Sequence, residues 1–478
     1  MRPRRGRLHV HTAEWLEGGK AEHSLRALLS SRPPAFDPAF PPSRLPAILR
    51  RMGDFEVIRD PLWDNIRLDG AASTLLDTAP MQRLRYVRQL GHAFLVYPGA
   101  THTRFEHALG AYHLTRRALA ALEERGELGP VPEEDRQAAR LAALMHDIGH
   151  YPFSHALEEA GFPPHEGLGV ARLRREPLVG ELARVGVTGL GERIGQFITG
   201  QSHSPLKGLI SGSLDLDKID YLSRDARMCG VPYGAVDVDR LLASLTLIEV
   251  APGRLELGVQ EKGISALESL LFSKYQMYRN VYWHHAVRSA TCMFKRAVRA
   301  AIATRALTAE ALADATDDAL TERLFAADPT GLARAVHGRR LFKRALDLAA
   351  SEVPPERDSW IRPRVDLLEQ VEDRLARESG LAAGELLLDF PSNPSMLAVD
   401  LPLRTRSGTV ERLTGQGRAG QFGLPRVAEE LYQSARRLRV FTARPVTVDL
   451  TPARELFALT PTELEARLAE GRRLLGPQ

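Results

Sequence analysis

Residues 141–159 read LAALMHDIGHYPFSHALEE, an apolar run that ends in a cluster of ionisable side chains. The apolar part is typical of a helix, and Gly149 and Pro152 interrupt the helical run just after His146 and Asp147. Adjacent histidine and aspartate side chains at a helix end can converge on one metal ion. The stretch therefore predicts a helical protein with a metal site where this helix ends.

Two further metal ligands are predicted from other helices. His107 lies on the preceding predicted helix and Asp217 on a later one, so helix packing must assemble the site. Imidazole nitrogens together with carboxylate oxygens suit Mn, Fe, Zn or Ni better than Ca, and an open coordination position can hold water or a phosphate oxygen. A lone histidine on an apolar helix is more often a core residue, and an isolated His-Asp pair also arises by chance.

The density of ionisable residues after the pair favours a functional site. His150, His155, Glu158 and Glu159 follow within one short stretch, and a core segment does not tolerate that many polar groups without partners. His155 and Glu158 are three residues apart on a helix predicted to start near Phe153, so they can share a face. A carboxylate that orients an imidazole makes a competent general acid or base, although a solvated helix face is the alternative.

Composition sets the class of protein. The chain has 478 residues, of which 44% are hydrophobic, enough for two or three packed domains. Charged residues interrupt every apolar stretch before the roughly 18 residues that a membrane span needs, and the N-terminus has no signal-peptide core. We therefore expect a cytoplasmic protein, and two cysteines are too few for a disulfide framework. The net charge of +4 is a weak indication of an anionic partner.

The fold is predicted to be mainly α, with a helical core and a smaller C-terminal α+β lobe. Residues 1–50 form an extension rich in Arg and Pro, residues 51–305 the core, and residues 306–478 the lobe. In the core, strand-like alternation is confined to short pieces such as RLELGV at 254–259. The remaining predicted elements are a short helix around Ala21 to Leu29, helices over 341–352 and 366–380, and strands within 385–404, 408–413 and 437–450.

Three motifs carry a family resemblance: PGATHTRFEHALG at 98–110, MHDIGHYPFSHALE at 145–158 and LDLDKIDYLSRDARMCGV at 214–231. Together they resemble the HD-domain deoxynucleoside triphosphate triphosphohydrolases, both the vertebrate type that carries a SAM domain and its bacterial relatives. The likeness runs from about Phe55 to about His285, with fainter similarity at 424–445. About 50 residues precede the core, so we expect no SAM domain.

The resemblance implies roles for the residues around the HD pair. His107, His146, Asp147 and Asp217 would hold the transition metal, with Mg accompanying the substrate triphosphate. His155 and Glu158 would form the catalytic pair near the α-phosphate, with His150 and His165 close by. Glu158 stands where the vertebrate enzyme has Asp. The implied reaction is hydrolysis at the α-phosphorus, which releases a deoxynucleoside and inorganic triphosphate.

The resemblance also implies a substrate pocket. Arg104 and Lys218 would hold the triphosphate, Gln89 and Asp225 the 3′-hydroxyl, and Tyr282 would pack under C2′ and exclude a ribose hydroxyl, which an aromatic face leaves unpaired. Further pocket residues are Leu90, Tyr221, Lys274 and Tyr278. Lys274 stands where the vertebrate enzyme has Arg and Tyr278 where it has His, and a lysine offers a point charge in place of the bidentate fork of an arginine.

An activator site is implied as well. Asp77, Gln82 and Arg85 match residues that recognise a guanine nucleotide between subunits, so a GTP or dNTP activator and a homo-oligomer, tetramer or dimer, are expected. Gln82 and Arg85 could equally be an ordinary surface pair. Glu56 and Asn280 replace a Lys and an Arg of the activator sites, which argues against a full two-nucleotide switch.

Two other functions stay open from the sequence alone. The same metal site would serve an HD phosphodiesterase or nuclease that acts on nucleic-acid ends or on a signalling nucleotide. The basic N-terminus would also suit a nucleic-acid-binding scaffold that keeps a metal for structure.

Overall fold

The computed structural model describes residues 55–353, 360–361, 364–392, 396–414, 424–446 and 450–475. The extension at 1–50, with its predicted helix around Ala21 to Leu29, lies outside the described residues. The fold is mainly α with a smaller C-terminal α+β lobe, which confirms the predicted fold class. None of the described helices is long and apolar enough to cross a membrane.

Helices make up most of the first part of the described chain. In chain order they are α1 (Gly70–Leu76), α2 (Ala79–Arg83), α3 (Arg104–Glu124), α4 (Glu133–Met145), α5 (Ala156–Glu159), α6 (His165–Leu173), α7 (Leu178–Arg184), α8 (Leu190–Ile198), α9 (Leu216–Cys229), α10 (Val238–Ser244), α11 (Ile264–Met277) and α12 (His285–Ala303). A π-helical turn, Tyr278–Tyr282, follows α11 directly. The long helix α3 packs against both α4 and α9, so these three helices form the frame of the core.

The core begins with a β-hairpin that the helical interpretation missed. Strands β1 (Glu56–Asp60) and β2 (Asp64–Leu68) pair antiparallel through a turn at 61–63. Ile66 and Leu68 of β2 are completely buried while Asn65 and Arg67 are exposed, which is the alternation of a half-buried strand. Five residues are too few for this period to stand out beside long helical segments.

The later part of the chain adds helices and two small sheets. The helices are α13 (Ala309–Ala313), α14 (Asp317–Ala327), α15 (Leu332–His337), α16 (Val365–Glu378), α17 (Leu424–Ala435), α18 (Leu450–Phe457) and α19 (Pro461–Ala469). One sheet has the order β3-β4-β7-β8, built from β3 (Leu245–Ala251), β4 (Arg254–Gln260), β7 (Leu401–Arg404) and β8 (Val410–Leu413). The other has the order β5-β9-β6, built from β5 (Lys343–Ala349), β9 (Arg437–Thr442) and β6 (Leu386–Asp389).

Most predicted elements of this part are confirmed. Strands β6, β7, β8 and β9 lie inside the stretches predicted to hold strands, β4 covers RLELGV, and α16 covers most of the helix predicted at 366–380.

The helix predicted over 341–352 is wrong, because residues 343–349 form strand β5. Its Leu, Ala, Lys and Arg residues favour a helix locally. Pairing with β9, which lies about ninety residues further along the chain, gives this segment its backbone hydrogen bonds and buries Leu346 and Leu348 on one face. Tertiary pairing therefore overrides the local helix propensity.

Candidate metal and catalytic site

Helix termini bring the four predicted metal ligands together. Helix α3 begins with a capping box, in which Thr103 and Glu106 exchange hydrogen bonds, and this places His107 in its first turn. Helix α4 ends at Met145, so His146 and Asp147 project from its C-terminus. Asp217 lies in the first turn of α9. The site therefore depends on where three helices start and stop.

The donor atoms of these residues converge. Nε2 of His107 lies 3.2 Å from Nε2 of His146 and 2.7 Å from Oδ1 of Asp217. Nε2 of His146 lies 3.4 Å from Oδ1 of Asp147 and 3.5 Å from Oδ1 of Asp217. His107, His146 and Asp147 each offer a donor atom within 4.8 Å of the others, and Asp217 approaches both histidines. Imidazole nitrogens with carboxylates are the donor set that divalent transition metals prefer, so the residues present fit such an ion.

The outer nitrogens of both histidines are already bonded. Nδ1 of His107 lies 2.8 Å from Oδ2 of Asp220, and Nδ1 of His146 lies 2.9 Å from the carbonyl oxygen of Ala143. A bonded Nδ1 fixes the ring and directs Nε2 to the shared point, as is usual for metal-binding histidines.

The electrostatics of this point favour a cation. Burial works against a charged His107, yet Asp217 and Asp220 raise its pKa to about 10. Burial likewise opposes ionisation of Asp147, yet the Arg104 guanidinium and His146 hold the pKa of that carboxyl well below its usual range. The carboxylates thus favour a positive charge between the two histidines. A metal ion bound there would supply that charge in place of a proton on His107.

A second cluster of titratable side chains lies beside the first. His150, His155, Glu158 and His165 each offer a ligand atom within 4.8 Å of the others. Glu158 joins two of the rings, since Oε2 lies 2.8 Å from Nδ1 of His155 and Oε1 lies 2.6 Å from Nδ1 of His165. Oδ1 of Asp147 lies 3.5 Å from Nε2 of His150, so this aspartate borders both clusters.

A strained loop presents His155. Phe153 and Ser154 have φ values of 57° and 64°, which residues other than glycine rarely adopt. Helix α5 begins only at Ala156, so the predicted helix start near Phe153 is wrong, and His155 precedes the first helical turn. The His155 to Glu158 contact nevertheless forms as expected.

Groups far away in sequence hold this loop. Oδ1 of Asp317 accepts a 2.9 Å hydrogen bond from the backbone N–H of Phe153, and Arg83 donates to the carbonyl oxygen of His150 at 2.5 Å. Arg104 donates to Oγ of Ser154 at 2.5 Å. The sequence reasoning missed Asp317 and Arg83, and no local pattern marks them, because their partners lie between about 65 and 165 residues away.

Both clusters open into one large cavity of about 1270 Å³. Its walls include nearly all of the predicted metal, catalytic and substrate residues: Gln89, Leu90, Arg104, His146, Asp147, His150, His155, Glu158, His165, Asp217, Lys218, Tyr221, Asp225, Lys274, Tyr278 and Tyr282. His107 lies deeper, with 1% of its side chain exposed. The volume is more than enough for a small organic ligand.

Cationic side chains line the cavity close to the metal ligands. Nζ of Lys218 donates to Oδ2 of Asp215 at 2.5 Å and to the carbonyl oxygen of Gly212 at 2.7 Å. Lys274 is buried, and burial together with the nearby Lys218 ammonium lowers its pKa to about 7. Arg104 donates to Oδ2 of Asp147 at 2.5 Å. This part of the cavity suits an anionic group.

Another part of the cavity is aromatic. The hydroxyl of Tyr282 donates to Oδ2 of Asp225 at 2.7 Å, while Oδ1 of Asp225 lies 2.7 Å from Nε2 of the buried His102. The rings of Tyr221 and Tyr278 meet the Tyr282 ring edge-on, with centroids 6.4 and 5.0 Å away. Asp225 is thus a buried acceptor beside an aromatic surface.

The residues predicted to bind an activator lie apart from the cavity. Asp77 follows α1, and Nε of Arg85 donates to Oε1 of Gln82 at 2.8 Å. The Arg85 guanidinium also stacks on the ring of Phe105, 3.6 Å from its centroid. Glu56 and Asn280 are the two positions where the activator residues of the family are replaced. Glu56 accepts a hydrogen bond from the hydroxyl of Ser73, and Asn280 donates to the carbonyl oxygen of Gln276.

Family models match two consecutive parts of the chain. An HD domain model matches residues 104–225, and an HD associated region model matches residues 236–445. The first spans α3 to α9 and therefore contains all four candidate metal ligands.

Sequence relatives extend the likeness. An uncharacterized protein of Methanocaldococcus jannaschii is 34% identical over 344 residues, which cover 71% of this chain and 70% of that protein. The deoxynucleoside triphosphate triphosphohydrolase SAMHD1 of Bos taurus is 30% identical over 266 residues, which cover 48% of this chain and 44% of that enzyme.

Solved structures agree in fold. A hypothetical protein from Aquifex aeolicus is 27% identical, with a TM-score of 0.63 over 82% of this chain and 97% of that chain. A phosphohydrolase from Bacteroides thetaiotaomicron, 23% identical with a TM-score of 0.62, covers 82% of this chain and 100% of its own, and shows likeness of fold alone.

Proposed function

Because this chain belongs to the HD-domain phosphohydrolase family, with an HD-associated region after its HD domain, we propose that it hydrolyses deoxynucleoside triphosphates to deoxynucleoside and inorganic triphosphate. The observation that carries the proposal is the position of Asp147. Its carboxylate borders the His107, His146 and Asp217 cluster on one side and the His150, His155, Glu158 and His165 cluster on the other.

His107, His146, Asp147 and Asp217 would hold the divalent cation, which when bound supplies a Lewis acid for the α-phosphate and activates water. Arg104, Lys218 and Lys274 would neutralise the triphosphate. Water adds to the α-phosphorus, the bond to the 5′ oxygen breaks, and His155 gives that oxygen its proton. The proton that the attacking water releases then restores the charged form of His155. Glu158, bonded to Nδ1 of His155, keeps the ring oriented and favours its protonated form.

Sugar selection is assigned to the aromatic part of the cavity. Asp225 and Gln89 would bind the 3′-hydroxyl, whose proton a carboxylate oxygen of Asp225 or Oε1 of Gln89 would accept. Oε1 of Gln89 has no hydrogen-bond partner among the described residues, so it is available to a ligand. The Tyr282 ring would pack under C2′, where a deoxyribose methylene fits and a ribose hydroxyl would be left unpaired.

The regulatory part of the proposal is an activator nucleotide at Asp77, Gln82 and Arg85 of a homo-oligomer. The stacking of Arg85 on Phe105 places this segment against the start of α3, which also carries His107. The domain boundaries near residues 50 and 305 and a cytoplasmic location belong to the same proposal.

Product identification tests the proposed function. The protein is incubated separately with each dNTP, with each NTP and with an oligonucleotide in the presence of Mn²⁺ and Mg²⁺, and the products are separated by chromatography. We expect deoxynucleoside and triphosphate from dNTPs, and turnover at least roughly 100-fold lower in His146→Ala, which removes a ligand. His337→Ala, an exposed histidine on α15, is the matched control and should retain turnover. Monophosphate products from oligonucleotides, without triphosphate from dNTPs, would support the phosphodiesterase alternative instead.

A further inference from the structure

A completely buried carboxylate lies behind the metal ligand His107. Oδ2 of Asp220 lies 2.8 Å from Nδ1 of His107, on the ring edge opposite the shared metal point. Asp220 is 0% exposed, so its charge has no solvent to stabilise it and must be balanced by protein groups. The groups that surround Asp220 therefore determine how it holds the His107 ring.

Arg224 supplies the balancing charge. It donates two hydrogen bonds to Asp220, from Nε to Oδ2 and from Nη2 to Oδ1, and both are 2.9 Å long. Nη1 donates to Oδ2 of Asp60 at 2.8 Å, and Nη2 also donates to Oδ1 of Asp60 at 3.4 Å. Arg224 is 0% exposed and Asp60 3%, so the three residues form a buried chain of alternating charge. Removing one member of such a chain leaves a buried charge without its partner.

Two of the contacts come from the hairpin turn between β1 and β2. Nε1 of Trp63 donates to Oδ1 of Asp220 at 2.5 Å. Oδ1 of Asp60 accepts from the backbone N–H groups of Leu62 and Trp63 at 2.9 and 2.8 Å, so the acid that anchors Arg224 also shapes the turn that carries Trp63. The turn precedes α3 by about forty residues but contacts the side chain that holds His107.

Helix α3, which carries His107, has a glycine where the side chains of Asp220 and Arg224 pack against it. At Gly110, three residues after His107, an added Cβ would lie 1.8 Å from Oδ1 of Asp220 and 2.5 Å from Nη2 of Arg224. Both atoms belong to buried side chains that make several hydrogen bonds each, and these side chains cannot move aside without breaking those hydrogen bonds. A glycine is therefore required here for Asp220 to reach the His107 ring.

We infer that Asp60, Trp63 and Arg224 are positioning residues for the metal centre: they fix Asp220, and Asp220 fixes the orientation and basicity of His107. The hairpin turn thus becomes part of the metal site, although it lies outside the matched HD domain residues. Carboxylates behind metal-binding histidines commonly change metal affinity by about 10- to 100-fold when they are altered. The inference rests on the metal site of the proposed function.

Metal binding by Trp63→Phe tests this inference directly. Phe keeps an aromatic ring beside His113, which stacks with Trp63 at 6.0 Å, but removes the N–H that Asp220 accepts. The intact chain is titrated with Co²⁺ against a competing chelator, and the visible absorption bands of bound Co²⁺ are recorded. We expect about tenfold weaker Co²⁺ binding and altered bands. Trp360→Phe, which replaces a buried tryptophan stacked on Phe457 in the C-terminal lobe, is the matched control and should bind Co²⁺ like the wild type.

A second variant reaches the network from its other end. Asp60→Asn removes the charge that faces Nη1 of Arg224 while keeping an oxygen for the turn, and it should weaken Co²⁺ binding in the same direction. Circular dichroism spectra and Tm values show how much of each variant is folded, and the Co²⁺ affinity is calculated for that folded protein. Wild-type affinity and bands in both folded variants would overturn the inference and leave the proposed function intact. A wild-type protein that binds no Co²⁺ would overturn both.

Discussion

Oε2 of Glu158 lies 2.8 Å from Nδ1 of His155, and this contact leaves the other ring nitrogen of His155 available to the cavity. Burial opposes ionisation of Glu158, yet hydrogen bonds from His155 and His165 hold the pKa of its carboxyl well below its usual range. An ionised carboxylate behind an imidazole favours the imidazolium that a general acid needs.

We therefore expect Glu158→Gln to lower kcat by about 10²-fold, because an amide cannot supply that charge. Steady-state rates with a dNTP measure the effect, and metal content should not change. Glu134→Gln, an exposed glutamate on α4, is the control. A kcat equal to that of the wild type in Glu158→Gln would show that the contact between His155 and Glu158 does not contribute to catalysis.

Replacing Tyr282 should relax sugar selection. Tyr282→Leu removes the ring that is proposed to exclude a ribose, so kcat/KM for an NTP relative to the matching dNTP should rise roughly tenfold or more. Tyr282→Phe keeps the ring and loses only the hydrogen bond to Asp225, so it should retain the preference for deoxyribose. If the ratio of kcat/KM for a dNTP to kcat/KM for the matching NTP is the same in the wild type and in Tyr282→Leu, then residues other than Tyr282 select the sugar.

Lys274 should make substrate capture depend on pH. Its pKa is lowered to about 7 by burial and by Lys218, so the ammonium is present below pH 7 and is lost above it. A triphosphate binds the cationic form better, and kcat/KM, which reports the free enzyme, should fall as the pH rises through about 7. Lys274→Arg stays charged, so its profile should lack this fall. Parallel profiles for the two proteins between pH 6 and 9 would refute this role.

Glu372 in α16 should make folding stability depend on pH. Burial raises its pKa to about 7, although Arg299, the Leu388 N–H and Arg296 act against this. An acid whose pKa is higher in the folded state than its unfolded value of 4.5 contributes stability at low pH that is lost as the pH rises toward 7.

Glu372→Gln keeps an oxygen for the N–H of Leu388 and removes the titration. The free energy of unfolding of the variant should therefore exceed that of the wild type by about 3 kcal/mol at pH 8 and should approach it near pH 4.5. Urea unfolding at both pH values measures the difference. A lower stability of the variant at pH 8 would mean that ion pairing with Arg296 outweighs burial.

The sequence was most informative where chemistry and local structure coincide. The end of α4 at Met145 follows from the apolar run and the Gly149 and Pro152 that succeed it, and this helix end carries His146 to within 3.5 Å of the His107 and Asp217 side chains. The contact between His155 and Glu158 also follows from their spacing, even though the helix starts three residues later than expected.

The sequence was least informative where distant partners determine the structure. Strand β5 has helical composition and becomes a strand only by pairing with β9. Asp220 and Arg224 are close to Asp217 along α9, but their importance depends on Asp60 and Trp63, about 160 residues earlier. Such long-range contacts leave no periodic signal in the sequence.

The central claim, that water attacks the α-phosphorus of a dNTP and displaces the 5′ oxygen, is tested most directly by turnover in ¹⁸O-labelled water. The reaction is followed by ³¹P NMR and by mass spectrometry of the nucleoside. We predict one ¹⁸O atom on a terminal phosphorus of the released triphosphate and none in the deoxynucleoside. Release of a deoxynucleoside monophosphate with pyrophosphate, or label in the deoxynucleoside hydroxyl, would contradict the claim.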